Sequence, residues 1–294
     1  MNNFHITLIG YGEVGQILAE DFGQRENLII SAWDKKFSDH ESSPSQHIKT
    51  SQAMQKDDAA TGCLDADLVI SAVTASETFN AAQSVLQGMK PGSFFLDLNS
   101  ASPGQKQKAA DAIENAGGKY VEGAVMSPIA PKRLACPILL GGPHADDFSA
   151  IAKQVGLAGC RVFSDQLGKA SAAKMCRSVI VKGMESLLTE SLLAARHYGV
   201  EDTVVGSLDD LFPGPDWQKL APYMISRSLE HGGRRAEEMR EVARTVIEAG
   251  EVALMSSACA ERQDIAKAFA DFSEPENLND MLDNIIEKTK AGRN

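Results

Sequence analysis

Two regimes of hydrophobic patterning divide the chain. Over residues 1–165, apolar runs of strand length recur at 4–9, 28–33, 68–73, 93–98, 119–122, 137–141 and 160–163. Most are separated by stretches in which apolar residues return at helical spacing, as at 12–24, 76–88 and 104–116. Nearly continuous apolar strands that alternate with amphipathic helices predict a mostly parallel sheet covered on both faces. Gly92, Gly117-Gly118 and Gly141-Gly142-Pro143 punctuate the pattern as turns. The charged, serine-rich segment from Asp34 to Ser45 reads as an exposed loop.

From Gln166 onward the strand pattern stops. Residues 167–197 form a long proline-free helical stretch with apolar residues on nearly all faces, as expected of a helix buried between domains. Pro213, Pro215 and Pro222 interrupt the pattern around Pro213-Gly214-Pro215-Asp216-Trp217. Further helices are expected at 201–211, 218–230, 234–249, 251–270 and 276–289, with fraying from Lys290 to Asn294. A chain of 294 residues suits two cores. The expected division is 1–165 and 166–294, the second unit opening on the long interdomain helix.

The first strand leads directly into Gly10-Tyr11-Gly12-Glu13-Val14-Gly15, a G-x-G-x-x-G at the opening of a helix. The next strand ends at Asp34. In this context the motif predicts a dinucleotide site, with the pyrophosphate at the helix N-terminus and the acid at the adenosine ribose. Gly10, Tyr11, Gly12, Glu13, Val14, Gly15 and Asp34 are the candidate cofactor residues. The fold class is therefore α/β, a doubly wound Rossmann-type sheet followed by an all-α second domain. NAD is the expected cofactor, because Asp34 stands where a 2′-phosphate would sit. NADP stays possible through Lys35 and Lys36.

Composition narrows the partners. The formal net charge of −11 argues against nucleic-acid binding, which needs a basic face. No apolar run is long enough to span a membrane, and the first strand leaves no room for a signal peptide, so a cytoplasmic protein is expected. Cys63, Cys136, Cys160, Cys176 and Cys259 are widely spaced, which fits reduced thiols. The histidines show no ligand spacing, and no metal is expected.

Ligands of such sheets bind beyond the carboxyl ends of the strands. That rule selects Val73-Thr74, the segment Asp97 to Pro103 with Asn99 and Ser100, and the segment Glu122 to Pro128 with Ser127. Their small and polar residues suit either ligand contact or ordinary turn chemistry; taken with the nucleotide signature, Val73, Thr74 and Asn99 are assigned to the cofactor, and Ser100 and Ser127 to a substrate carboxylate. On the long helix, Ser171, Lys174 and Ser178 share one face by i+3 and i+4 spacing. Lys174 on this narrow polar stripe is either a proton-exchanging group or a lysine whose ammonium snorkels to water. His231 precedes, and Arg234 and Arg235 follow, a Gly232-Gly233 pair that reads as a helix start. They are candidate anion-binding residues, with pairing to Glu238 as the alternative.

The order of G-x-G-x-x-G, Asp97-Leu98-Asn99-Ser100-Ala101-Ser102-Pro103, a small-residue segment, and Gly168 followed by Lys174 resembles the β-hydroxyacid dehydrogenases. That family includes 6-phosphogluconate and 3-hydroxyisobutyrate dehydrogenases. The second half, through His231-Gly232-Gly233-Arg234-Arg235, is similar to a subgroup whose phosphogluconate-dehydrogenase-like carboxy-terminal domain has an unsettled function. The resemblance puts Lys174 in the place of the catalytic lysine. It implies an NAD(P)-dependent oxidoreductase for a small hydroxy acid, working as a homodimer whose helical domain closes over the substrate. Ser178 stands where the family has Asn, and Met126-Ser127-Pro128 where it has Ser-Gly-Gly. Imine or carbonyl reduction on the same scaffold, and a non-catalytic NAD(P)-sensing module, are the alternative readings.

Overall fold

The computed structural model describes residues 3–273 and 277–291. The described chain divides into two compact units, Met1–Met175 and Cys176–Asn294. In the first unit the strands are β1 (Phe4–Ile9), β2 (Leu28–Trp33), β3 (Met54–Gln55), β4 (Leu68–Ser71), β5 (Phe94–Asp97), β6 (Lys119–Val125), β7 (Ile138–Gly141) and β8 (Cys160–Ser164). They form one sheet in the order β3-β2-β1-β4-β5-β6-β7-β8. All neighbouring strands pair parallel except β6 with β7. The interleaved helices are α1 (Glu13–Gly23), α2 (Ser43–Ile48), α3 (Ala59–Cys63), α4 (Thr78–Val85), α5 (Pro103–Asn115) and α6 (Ala145–Val155).

The inner strands β1, β4, β5, β6 and β7 are buried on both faces, as their unbroken apolar runs require, whereas the edge strands β3 and β8 are largely exposed. One core layer centres on Ile6, Leu8, Phe22, Leu96 and Phe148, the other on Ile9, Val69, Phe95, Ile113 and Tyr120. The segment from Asp34 to Ser45 is mostly exposed as expected, but it carries a 3-10 turn and the start of α2. Ser42 caps that helix, and Pro44, Ser45 and Ile48 are buried. The edge strand β3 was not expected, since two exposed residues carry no alternation to detect.

Helix α7 (Lys169–Tyr198) begins in the first unit and continues into the second. The second unit also holds α8 (Glu201–Leu211), α9 (Trp217–Glu248), α10 (Leu254–Ala266) and α11 (Leu278–Ala291). Glu276, the expected start of the last helix, and residues 292–294 of the expected fraying end lie outside the described residues. Lys290 belongs to α11. Within the single chain α7 is not buried all round: Ile180 and Leu187 are exposed. The expected break between 230 and 234 is absent, because α9 runs unbroken through Pro222 and Gly232-Gly233. A proline inside a helix costs about 3 kcal/mol. Burial of Trp217, Ala221, Ile225 and Leu229 along one face offsets this, since a large apolar side chain contributes about 1.5–3 kcal/mol. Gly232 serves a helix contact, not a cap: a Cβ there would lie 2.6 Å from the Gln263 carbonyl oxygen at the end of α10.

Candidate active site

The glycines of the first βα turn have distinct reasons. Gly10 has φ +96°, and a Cβ there would meet the Ala72 carbonyl oxygen at 2.4 Å. A Cβ at Gly15 would lie 2.2 Å from the Gly10 carbonyl oxygen. The fold itself demands both. Gly12 has φ −74°, and a Cβ there would meet nothing within 4 Å. No packing within the chain requires glycine at 12, yet this residue caps α1 without any side-chain hydrogen bond. The first-turn N–H groups, including those of Glu13 and Val14, have no partner inside the helix. A dinucleotide pyrophosphate fits this cradle: donors and a positive dipole end face it, and no side chain stands at position 12 to block it.

Asp34, at the end of β2, accepts from the Tyr11 amide at 2.6 Å and from the Lys36 amide at 2.8 Å. Its carboxylate is thereby fixed, and each oxygen retains a lone pair for a ribose hydroxyl. The side chain of Tyr11, a candidate cofactor residue of the motif, faces the core. It is buried, its hydroxyl donates to Ser51 Oγ at 2.7 Å, and its ring packs on Phe37. An aromatic ring inside the motif serves the core, and its amide serves Asp34.

Asn99 joins the ends of β4 and β5. Its amide nitrogen donates to Ser71 Oγ at 2.9 Å, and its side-chain oxygen accepts from the Val73 N–H at 2.7 Å. Its own N–H donates to Asp97 Oδ1 at 2.9 Å. The buried Asn99 therefore shapes this rim, while Thr74 is exposed on it. Beneath lies a network that sequence reasoning missed. Asp97 and Lys106 are buried together, with Lys106 Nζ 2.8 Å from Asp97 Oδ1. The Tyr120 hydroxyl donates to Asp97 Oδ2 at 2.7 Å. Burial, then the Asp97 carboxylate beside it, pushes the Tyr120 phenol well up, so it stays a neutral donor. The available signal was Lys106 on the same helical face as the buried Ala109, Ala110 and Ile113.

Lys174 donates to Ser100 Oγ at 2.6 Å. The lysine is half-buried, and Ser171 and Ser178 on its stripe are buried. The Ser127 hydroxyl lies 3.4 Å from Cys136 Sγ. The structure thus brings Lys174 and Ser100 together within the unit that carries the dinucleotide signature.

The expected anion-binding residues of the second unit are placed differently. Arg234 and Arg235 lie in the interior of α9, so no helix N-terminal N–H groups accompany them. The Gly232-Gly233 pair was read as a helix start because glycine often marks a boundary, whereas here it permits close approach of α10. Arg234 pairs with Glu238 at 3.1 Å on an exposed face. Arg235 is paired with the buried Glu185. Burial, then Arg227 and Arg234, hold the His231 imidazole below its usual range. Both arginines are already engaged with carboxylates of their own unit. Among the described residues, no three His, Cys, Asp or Glu side chains are grouped to hold a metal ion.

Residues 5–160 match the NAD binding domain of 6-phosphogluconate dehydrogenase, and residues 195–270 match a domain of unknown function (DUF1932). A conserved hypothetical protein from Sinorhizobium meliloti 1021 is 34% identical, with TM-score 0.74 over 96% of this chain and 95% of that one. Mycobacterium tuberculosis 3-hydroxyisobutyrate dehydrogenase, solved with L-serine, shares the fold at 16% identity, with TM-score 0.70 over 96% of this chain and 99% of that one. The human mitochondrial 3-hydroxyisobutyrate dehydrogenase is 21% identical over 146 residues, which span 49% of this chain and 44% of that enzyme. The matched span holds the glycine turn, Asp34, Asn99 and Ser100 in one domain, and the chain belongs to the family defined by the NAD-binding domain of 6-phosphogluconate dehydrogenase.

Proposed function

We propose that the protein is a cytoplasmic NAD(P)-dependent oxidoreductase that acts on a small hydroxy acid, with Lys174 moving the proton at the substrate oxygen. The observation that carries this reading is the 2.6 Å contact of the Lys174 ammonium with Ser100, just beyond β5 in the dinucleotide-binding unit. The nicotinamide, when bound, supplies or accepts the hydride at the carbinol carbon. In oxidation neutral Lys174 takes the hydroxyl proton, and in reduction its ammonium returns it. Ser100 holds the lysine and, with Ser127, receives the substrate carboxylate. Ser178 follows Lys174 by one helical turn and orients the reacting group. A carboxylate that used Arg234 or Arg235 would have to displace Glu238 or Glu185, so those residues stand second in this assignment.

The test is a panel of hydroxy acids with NAD and NADP, followed by absorbance of the reduced cofactor, with cyclic imines and NADH or NADPH in parallel. Hydroxy-acid turnover supports the proposal. Turnover with imines alone moves the function to imine reduction, which needs the same proton donor. Tight cofactor binding with no turnover of either class leaves a sensor.

Cofactor binding is checked by calorimetry. NADH is expected to bind more tightly than NADPH, because the Asp34 carboxylate repels a 2′-phosphate. Lys35 does little to relieve this, as it lies 3.3 Å from Glu77. Gly12→Val is expected to keep the fold, since a Cβ at 12 has open space around it. It should weaken both cofactors by tenfold or more, about 1.4 kcal/mol, by blocking backbone approach. Equal NADPH affinity, or an unaffected Gly12→Val, counts against the assigned site.

A homodimer is part of the proposal. In the second unit Ile180, Leu187, Ile247, Val252, Leu254 and Met255 are each more than half exposed. Two-fold pairing is the commonest way to cover such surface. Light scattering at micromolar concentration should give twice the chain mass, and a monomer would contradict it. Among the described residues no helix is long and apolar enough to cross a membrane.

A further inference from the structure

Glu122 is a buried carboxylate that the proposed chemistry does not use. It sits within β6, between Val121 and Gly123, and is 0% exposed. Among the described residues no salt bridge to it is formed. Instead Oε2 accepts from the Gly168 N–H at 2.9 Å and Oε1 from the Ser171 N–H at 2.6 Å. These two amides open α7, whose first residue is Lys169. A carboxylate at a helix N-terminus satisfies orphan donors and faces the positive end of the helix dipole. Lys174 follows within the next turn of the same helix.

Gly141 supplies an independent observation. It pairs with Glu122 across β6 and β7. Its φ is not in the left-handed region, so its backbone does not call for glycine. A Cβ at 141 would lie 2.5 Å from Glu122 Oε2 and 3.4 Å from the Ala170 Cβ. The missing side chain makes room for the carboxylate against the start of α7. Tyr120, two residues earlier and so on the same face of β6, supports Asp97 at the end of β5, from which Ser100 emerges. One strand therefore braces both partners of the Lys174–Ser100 contact.

We propose that Glu122, accommodated by Gly141, is a positioning residue that fixes the first turn of α7 and so places Lys174 against Ser100. Its catalytic meaning rests on the function proposed above, but the placement itself does not. Lysine placement is read without substrate, by the rate at which an amine-acetylating reagent modifies Lys174, followed by mass spectrometry. The exposed Lys108 and Lys132 serve as internal references. Ser100→Ala sets the rate for a Lys174 that has lost the Ser100 contact. Glu122→Gln keeps the size but can accept only one of the two N–H bonds. Both Glu122→Gln and Gly141→Ala should raise Lys174 labelling toward the Ser100→Ala rate, and should speed amide exchange over residues 168–175. Should Glu122→Gln fail to fold, Glu122→Asp keeps the charge and withdraws it by one methylene.

With a substrate from the panel, kcat should fall about 10–10²-fold with KM little changed, as expected for a misplaced reacting group. Wild-type labelling and exchange in folded Glu122 and Gly141 variants would overturn the proposal. So would labelling that rises equally at Lys108 and Lys132, which reports general loosening. If Lys174→Ala proves fully active, the proposed function fails while the labelling result still decides the role of Glu122.

Discussion

Lys174→Ala is expected to lower turnover about 10²–10⁴-fold, the usual contribution of a positioned acid–base group. Cofactor affinity stays at the wild-type level, because every residue assigned to the dinucleotide lies elsewhere: on the first βα turn, at Asp34, and beyond β4 and β5. The two readouts separate a reacting lysine from a structural one. Steady-state rates with the substrate found in the panel give the first, and calorimetry with NADH gives the second. Lys174→Arg distinguishes charge from proton transfer. Arginine keeps the charge and can still donate to Ser100, but it does not lose its proton near neutral pH. It should therefore be nearly as inactive as alanine. Near-normal turnover in Lys174→Ala would remove the lysine from the mechanism and leave its contact with Ser100 a structural one.

Lys106→Met destabilises the dinucleotide-binding unit by about 3–5 kcal/mol, the cost of leaving one member of a buried ion pair uncompensated. Asp97 and Lys106 are 0% and 1% exposed, so water cannot replace the lost partner. Tyr120 and the Asn99 N–H still donate to the Asp97 carboxylate, which keeps the effect from being larger. Urea unfolding is the measurement, with fluorescence and circular dichroism compared, because a chain of two units need not unfold in one step. Adding Asp97→Asn to Lys106→Met removes the stranded charge and should recover a large part of the loss. A single variant as stable as wild type would show that the pair contributes nothing. A double variant no better than the single would show that the loss arises from packing of the lysine stem.

The first βα turn was legible because its constraint is local. Gly10 and Gly15 are fixed by a strand, a turn and a helix that follow one another within a few residues, and Asp34 directly follows the next strand. The parallel sheet was legible because strands covered on both faces must be apolar throughout. The stripe of Ser171, Lys174 and Ser178 left Lys174 open between a proton-exchanging group and a snorkelling lysine; the family resemblance made it the candidate, and the structure adds its contact with Ser100. The helix boundary at Gly232-Gly233 was misread because glycine has two uses, breaking a helix or admitting a neighbour, and the neighbour is α10, which follows later in the chain.

By itself, the order of residues determined an α/β dinucleotide-binding unit and an all-α remainder, because periodicity and turn chemistry act over short distances along the chain; the candidate lysine came from the resemblance of its motifs to a family. Only the tertiary structure decided which carboxylates are buried and what each holds: Asp97 with Lys106 and Tyr120, Glu122 with the first amides of α7, Glu185 with Arg235. The physical reason is that a buried charge is tolerated only where its partners converge. Those partners come from elements far apart in sequence, such as β6 and α7, whose meeting no local pattern encodes.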